Sequence, residues 1–356
     1  MRTKVNKVEA ATPIPLTAVS NAVAATPKDF AGILFIGDPH VSSKRPGRRQ
    51  DDYLESVLEK LRFCAELCHE YNLLPVILGD LLHRSDDNSL RMLNRLTSVL
   101  ESFPVPPLTL EGNHDKEGAS IGEEDALYLL SRNKDAIQVI VDAGHAGTYS
   151  INGAPVRLFA APYGTPIPAS LPAGEGRAIL ITHHDMAFDG AYPGAKPIQP
   201  VAGADMVVNG HMHDTKPSVL AGQTYWHNPG NIEPLSVDLI HHVPRAWLWD
   251  GDDCSALVGM DLPHGTDLFD MTGLQVQAGD VDAAVAAISA PTIVQSDFAA
   301  WMAQEAAQQT DASRTDDASV LRGDIDAVFD AGAISAPAQQ LMNTLFKRVQ
   351  TAALKS

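Results

Sequence analysis

Ile33-Leu34-Phe35-Ile36-Gly37-Asp38-Pro39-His40 runs from four large apolar side chains straight into an acid and an imidazole. An unbroken apolar run of this length is the pattern of a buried strand. Residues 51–71 follow with Leu54, Val57, Leu58, Leu61, Cys64, Ala65 and Cys68 along one helical stripe. Pro75-Val76-Ile77-Leu78 repeats the strand pattern and ends on Gly79-Asp80. Leu90, Leu93, Leu96, Val99 and Leu100 mark a second helix, and residues 107–110 a third strand that runs into Gly112-Asn113. Strand, helix, strand, helix, strand predicts parallel pairing through crossover helices. Ligands gather beyond the carboxyl ends of such strands, which is where these Asp and Asn residues fall.

From about Gln138 the texture changes to short apolar segments divided by Gly, Asn and Pro turns: 138–141, 148–151, 156–160, 178–182, 206–209, 224–227 and 246–249. They predict a second sheet. The expected fold is α/β (α+β), a four-layer αββα sandwich of two mixed sheets flanked by helices, with the catalytic domain over 30–266. Residues 1–29, dominated by Ala, Thr and Pro, read as a flexible leader. Residues 267–356 are rich in Ala, Asp and Gln. They predict a mainly helical C-terminal extension or partner-docking segment, with helices near 281–288 and 339–349 and a polar linker at 304–317.

The 356 residues are 45% hydrophobic, enough for a large core plus an appendage. A formal net charge of -18 means that no overall field attracts nucleic acid, so a polyanion must be met by a local basic patch or by bound metal. Three cysteines are too few for a disulfide framework and point to a reducing compartment, with the cytoplasm as the expected location. No apolar run is long enough to span a bilayer, so no membrane partner is expected.

Five short runs carry the chemistry: Asp38-Pro39-His40, Gly79-Asp80, Gly112-Asn113-His114-Asp115, His183-His184 and Gly210-His211-Met212-His213. Each alone reads as a turn, a capped loop, or a surface or core histidine. Together, in order and each at an apolar strand end, they supply the oxygen and imidazole donors for two adjacent divalent cations. Asp80, a lone carboxylate after a strand and a Gly, is the best bridging candidate. Asp38 and His40, like His211 and His213, sit two apart and would share a face in extended backbone.

This set resembles the calcineurin-like metallophosphoesterases, whose pattern is Asp-x-His, Gly-Asp, Gly-Asn-His-Asp/Glu, a His, and Gly-His-x-His. Two further stretches are similar to the Mre11/SbcD nuclease branch: Gly79-Asp80-Leu81-Leu82-His83, with Leu82 where Phe is common, and Pro229-Gly230-Asn231-Ile232-Glu233-Pro234-Leu235-Ser236, with Asn231 where Ser is usual. The resemblance implies that Asp38, His40 and His213 hold one metal and that Asn113, His183 and His211 hold the other. Asp80 would bridge them, and His183 is favoured over His184. It implies two divalent ions, with manganese ahead of iron or zinc, and a DNA substrate. It also implies an SMC-like ATPase partner of the Rad50/SbcC type, reached through residues 267–356; a plain helical extension is the other reading of that segment.

His114, next to Asn113, is the expected proton donor to the leaving alkoxide, and Asp115 would orient its ring and raise its pKa. His83 either supports substrate placement or is a surface residue. Lys44, Arg45, Arg48 and Arg49 form a basic loop after His40 that either grips phosphates or pairs with Asp51 and Asp52. Trp226 and His227 offer rings for stacking, with Trp226 reading better as strand core. A metal-dependent phosphodiesterase, foremost a DNA exo- or endonuclease, is the leading expectation. A stand-alone phosphatase or phosphodiesterase on small molecules, RNA or phosphoproteins, and an inactive scaffold, are the alternatives.

Overall fold

The computed structural model describes residues 28–189 and 194–272. The leader to residue 27, the helices expected near 281–288 and 339–349, and the linker at 304–317 lie outside the described residues.

The elements run β1 (Asp29–Phe30), β2 (Gly32–Ile36), α1 (Tyr53–Glu70), β3 (Leu73–Ile77), α2 (Leu90–Leu100), β4 (Leu108–Leu110), α3 (Ala126–Leu130) and β5 (Gln138–Ile140). Then come β6 (Gly144–Ile151), β7 (Ala154–Ala161), β8 (Arg177–His183), β9 (Met206–Gly210), β10 (Lys216–Ala221), β11 (Thr224–Asn228), β12 (Arg245–Trp249) and β13 (Val258–Asp261). Helix α1 starts where the Asp52 side chain accepts from the Glu55 N–H, and α2 where Ser89 accepts from Met92 N–H. Both caps satisfy donors that a helix leaves unpaired at its first turn.

One sheet has the order β13-β12-β2-β3-β4-β5, with β2 to β5 parallel; the other has the order β1-β6-β7-β8-β9-β11-β10, with β7, β8, β9 and β11 parallel. The division of strands differs from the sequence expectation. Segments 138–141 and 246–249 join the first sheet, β5 beside β4 and β12 antiparallel to β2. Residues 246–249 offer apolar side chains to both faces, so their pattern alone does not say which sheet they complete. The cross-strand pairs Trp247 with Phe35 and Leu248 with Leu34 place them on the open edge of β2.

Strand alternation distributes the core. Leu34 and Ile36 face α1 and α2, with Val57, Leu61, Leu93 and Leu96. Ile33 and Phe35 face the second sheet and pack with Leu158, Ile179, Ile181 and Val208. Leu180, Val207 and Trp226 point outward from the second sheet under Leu171, Met186 and Phe188. Trp226 is therefore core, as its setting in a strand predicts, and its indole N–H donates to the Gln199 carbonyl. No helix among the described residues is long and apolar enough to cross a membrane.

Candidate metal centre

The strands deliver their donors to one place. Asp38 and His40 follow β2, Asp80 follows β3 and Asn113 follows β4, all parallel in the first sheet. His183 ends β8, and His211 and His213 follow the adjacent parallel β9 in the second. The carboxyl ends of two facing sheets thus converge on one pocket, the position that parallel sheets reserve for ligands.

Extended backbone does not bring the paired residues together as expected. Asp38, His40, Asp80 and His211 have φ of 35°, 49°, 46° and 73°, four of the seven non-glycine residues with positive φ among those described. Left-handed backbone at a non-glycine residue costs on the order of 1–3 kcal/mol and persists where the surroundings over-determine it. The chain thus leaves β2, β3 and β9 through left-handed residues that are themselves donors. The glycines of the motifs allow the close approach: a Cβ on Gly79 would strike the His183 ring, and one on Gly112 would strike the Asp80 carboxylate.

Each carboxylate is anchored by one oxygen. Asp38 Oδ1 accepts from His211 N–H at 2.9 Å, and Asp80 Oδ1 accepts from His114 N–H at 2.8 Å. Asp38 Oδ2 and Asp80 Oδ2 are buried and have no hydrogen-bond partner, and neither has His40 Nδ1. The imidazoles are held in the same way. His183 Nδ1 contacts the Leu78 carbonyl at 2.8 Å and His211 Nε2 contacts Asp185 at 3.0 Å. A nitrogen that donates to a fixed oxygen leaves the other ring nitrogen with its lone pair. Those others, His183 Nε2 and His211 Nδ1, both face Asn113 Oδ1, at 3.2 and 2.8 Å. His40 Nε2 and His213 Nε2 lie 3.0 Å apart.

The orphaned carboxylate oxygens, with imidazole nitrogens crowded against them, call for a cation. Asp38, His40 and Asp80 form one group whose donor atoms lie within 4.8 Å of one another; Asp80, His183 and His211 form a second. Asp80 belongs to both, so the donor set fits two adjacent divalent ions sharing a carboxylate. Electrostatics agree. Burial drives His40 well below its ordinary pKa and His213 down to about 4, leaving neutral nitrogen donors. Burial would raise Asp80, but His183, His40 and His114 beside it outweigh that and hold it below the usual carboxylate range. Burial raises Asp38 to about 7, with Asp80 adding to the effect. His183 is the exception: burial opposes its charge, yet Asp80 and Asp38 carry it up to about 9, the two carboxylates calling for a positive charge that a bound cation would supply in place of the proton.

His184 points elsewhere, its Nε2 2.8 Å from the Thr165 carbonyl. Asp115 does not orient His114: its two oxygens accept from Leu82 N–H and Gly112 N–H, and His114 Nδ1 instead meets the His83 carbonyl at 2.8 Å. A buried carboxylate three residues past Gly112 ties two strand-end loops together more readily than it reaches its neighbour's ring. His83 and His114 stack with centroids 5.6 Å apart at 14° and line a cleft of about 290 Å³ with Asn113 and Lys116.

The basic loop divides. Arg49 is buried and bound to Asp51, Glu233 and the Pro234 carbonyl, so it is an interior cation and not a phosphate contact. Arg45 donates to the Gln50 carbonyl, and Arg48 to the carbonyls of Asp270 and Thr272; both remain exposed, as does Lys44. His227 is buried between Ser218 and the Cys254 carbonyl and offers no face for stacking.

Several supporting residues escape the sequence reading. Glu233, fully buried, accepts from Arg49 at 2.5 Å, Lys60 at 2.9 Å and Ser56 at 3.1 Å. Its neighbours clamp both ligand loops: Asn231 N–H donates to the His213 carbonyl and Ile232 N–H to the Gly37 carbonyl, each at 2.9 Å. Tyr53 Oη donates to the His40 carbonyl at 2.8 Å. Only the charge of Glu233 inside an otherwise apolar and Pro-rich stretch hinted at such a role.

Two sheets whose strand ends present a shared carboxylate to imidazole and amide donors define a metal-dependent phosphoesterase. The calcineurin-like phosphoesterase profile matches residues 31–215, just over half of the sequence, and the chain belongs to that family. All seven candidate ligands lie inside the match. Among solved structures, the chain is similar to a hypothetical protein from Thermus thermophilus, at 11% identity and TM-score 0.39, over 65% of this chain and all of that one. No curated protein matches the sequence.

Proposed function

We propose that the chain is a phosphodiesterase with two divalent metal ions that cleaves DNA, a nuclease of the SbcD type. One observation carries the metal-dependent part: Asp80 Oδ2, free of any hydrogen bond, lies 3.7 Å from His40 Nε2 and 3.3 Å from His183 Nε2, within reach of both donor groups. Asp38, His40 and His213 would hold one ion and Asn113, His183 and His211 the other, with Asp80 between them. When bound, two such ions would supply charge to offset the phosphate oxygens and to acidify water near neutral pH. The Asp38 and Asp80 backbone anchors fix the donors before substrate arrives, which removes reorganisation from the reaction. His114 donates its Nδ1–H to the His83 carbonyl, so it is the doubly protonated ring that would give a proton from Nε2 to the leaving alkoxide. Oxygen and imidazole donors without thiolate suit manganese, iron or zinc, and manganese is our choice; the three cysteines are buried in apolar cores.

The DNA part rests on residues 229–236, whose similarity to the nuclease branch falls on the segment that clamps both ligand loops, and on exposed Lys44, Arg45 and Arg48. An SMC-like ATPase docking on the C-terminal extension belongs to the same proposal. A second reading, a phosphodiesterase or phosphatase on small esters, is favoured by the engagement of Arg45, Arg48 and Arg49 with protein acceptors. Labelled DNA, bis(p-nitrophenyl) phosphate and p-nitrophenyl phosphate, each offered with Mn2+, separate the two. The nuclease reading expects DNA cleavage that Asp80→Ala abolishes and His114→Ala lowers roughly 100-fold or more. Ester turnover with intact DNA selects the second reading. Bound manganese with no turnover of any substrate overturns both.

A further inference from the structure

Tyr163 is half-exposed, at 37%, while its ring contacts two candidate ligand imidazoles. Its centroid lies 5.6 Å from that of His211 at a tilt of 33°, and 6.3 Å from that of His183. Those two rings are themselves edge-to-face at 5.0 Å. Leaving so large a ring half in solvent forgoes burial worth about 25 cal/mol per Å².

The ring is nevertheless held in place. Tyr163 N–H donates to the Glu111 carbonyl at 3.2 Å, just past β4. The Lys116 ammonium donates to the Tyr163 carbonyl at 3.2 Å and pairs with the buried Glu111 carboxylate. The loop carrying Tyr163 is thereby tied to the loop carrying Asn113 and His114. An exposed aromatic on a braced backbone can take a flat partner with little loss of side-chain freedom, because Tyr has only two torsions to fix. The stacked pair His83 and His114 lines a cleft together with Asn113 and Lys116.

We infer that Tyr163 is a stacking platform for an aromatic ring of the substrate, a nucleobase next to the scissile phosphate, and so sets which esters the site prefers. This rests on the phosphodiesterase reading above. Base-on-aromatic stacking lost to alanine weakens binding roughly tenfold. The competing role is packing alone, with Tyr163 steadying the His211 ring for any substrate.

Binding of thymidine 5′-monophosphate and of methyl phosphate to the manganese-loaded protein, measured by calorimetry, distinguishes the two roles. The wild type should prefer the nucleotide. Tyr163→Ala should weaken thymidine 5′-monophosphate roughly tenfold and leave methyl phosphate unchanged. Tyr163→Phe and Tyr163→Trp should keep the preference. Equal weakening of both ligands, no preference in the wild type, or a preference that survives in Tyr163→Ala would overturn the inference. Hydrolysis of bis(p-nitrophenyl) phosphate by the same preparations is read separately. Its absence in the wild type removes the phosphodiesterase reading, while the binding ratio still decides on Tyr163.

Discussion

Replacing Glu233 by Gln removes the one anion within ion-pair distance of Lys60 among the described residues. Glu233 is fully buried and Lys60 is 1% exposed, 2.9 Å away. The other acceptors of the ammonium are Ser56 Oγ and the Ser56 carbonyl, at 3.0 and 3.4 Å, and neither carries charge. Arg49 is better protected, because Asp51 holds it through two hydrogen bonds of 2.8 and 2.6 Å. The loss is therefore that of one buried ion pair broken from one side, about 3–5 kcal/mol. In a domain of this size that lowers the melting temperature by roughly 10 °C. Urea unfolding of metal-free protein measures it directly. A double-mutant cycle sharpens the test: adding Lys60→Met takes away the stranded charge and should recover a good part of the loss. Strict additivity of the two substitutions, or a loss under about 1 kcal/mol for Glu233→Gln alone, would refute the reasoning. Because Asn231 and Ile232 hold the His213 and Gly37 carbonyls, the single variant should also weaken manganese binding more than Lys60→Met does.

Asp115→Asn keeps one acceptor for Leu82 or Gly112 and sets an NH2 group against the other N–H; stability should fall by about 1–3 kcal/mol in urea unfolding. The pH optimum of hydrolysis should stay in place, and a displaced optimum would restore Asp115 to a role on His114. Gly79→Ala must put a Cβ into the His183 ring at φ 109°, so metal content measured after dialysis should drop sharply even where the protein still folds. Burial lowers His184 from 6.5 to about 4, so the unfolded chain binds its proton first. That contribution to stability is complete above pH 6.5 and is lost as pH falls toward 4. At pH 5 the loss is roughly 2 kcal/mol, and metal-free wild type should lose that much more than His184→Gln between about pH 7 and pH 5. Parallel profiles for the two proteins would contradict it.

What the sequence discloses and what it conceals divide along physical lines. Strand and helix positions in the first half are legible because Ile33 to Ile36, Val76 to Leu78 and the α1 and α2 stripes each carry one dominant period. In the second half, periodicity shows that β12 is a strand without showing whose edge it completes; only the pairing of Trp247 with Phe35 decides that. Ligand identity is legible for a related reason, since Asp, Asn and His immediately after apolar runs have few structural duties that need them in that order. The means of convergence is not. Nothing local marks Asp38, His40, Asp80 and His211 as residues that will adopt positive φ, because the conformation is unfavourable for each of them alone. It is imposed from outside, by Tyr53 on the His40 carbonyl and by the His211 and His114 amides on the two carboxylates. The same logic explains why the basic loop divides. Arg45, Arg48 and Arg49 look alike in the sequence, but only Arg49 finds a buried carboxylate, and that carboxylate lies 184 residues away. A site assembled from strained strand ends must be held by contacts distant in sequence, so its donors can be read residue by residue while its supports emerge only once the two sheets face each other.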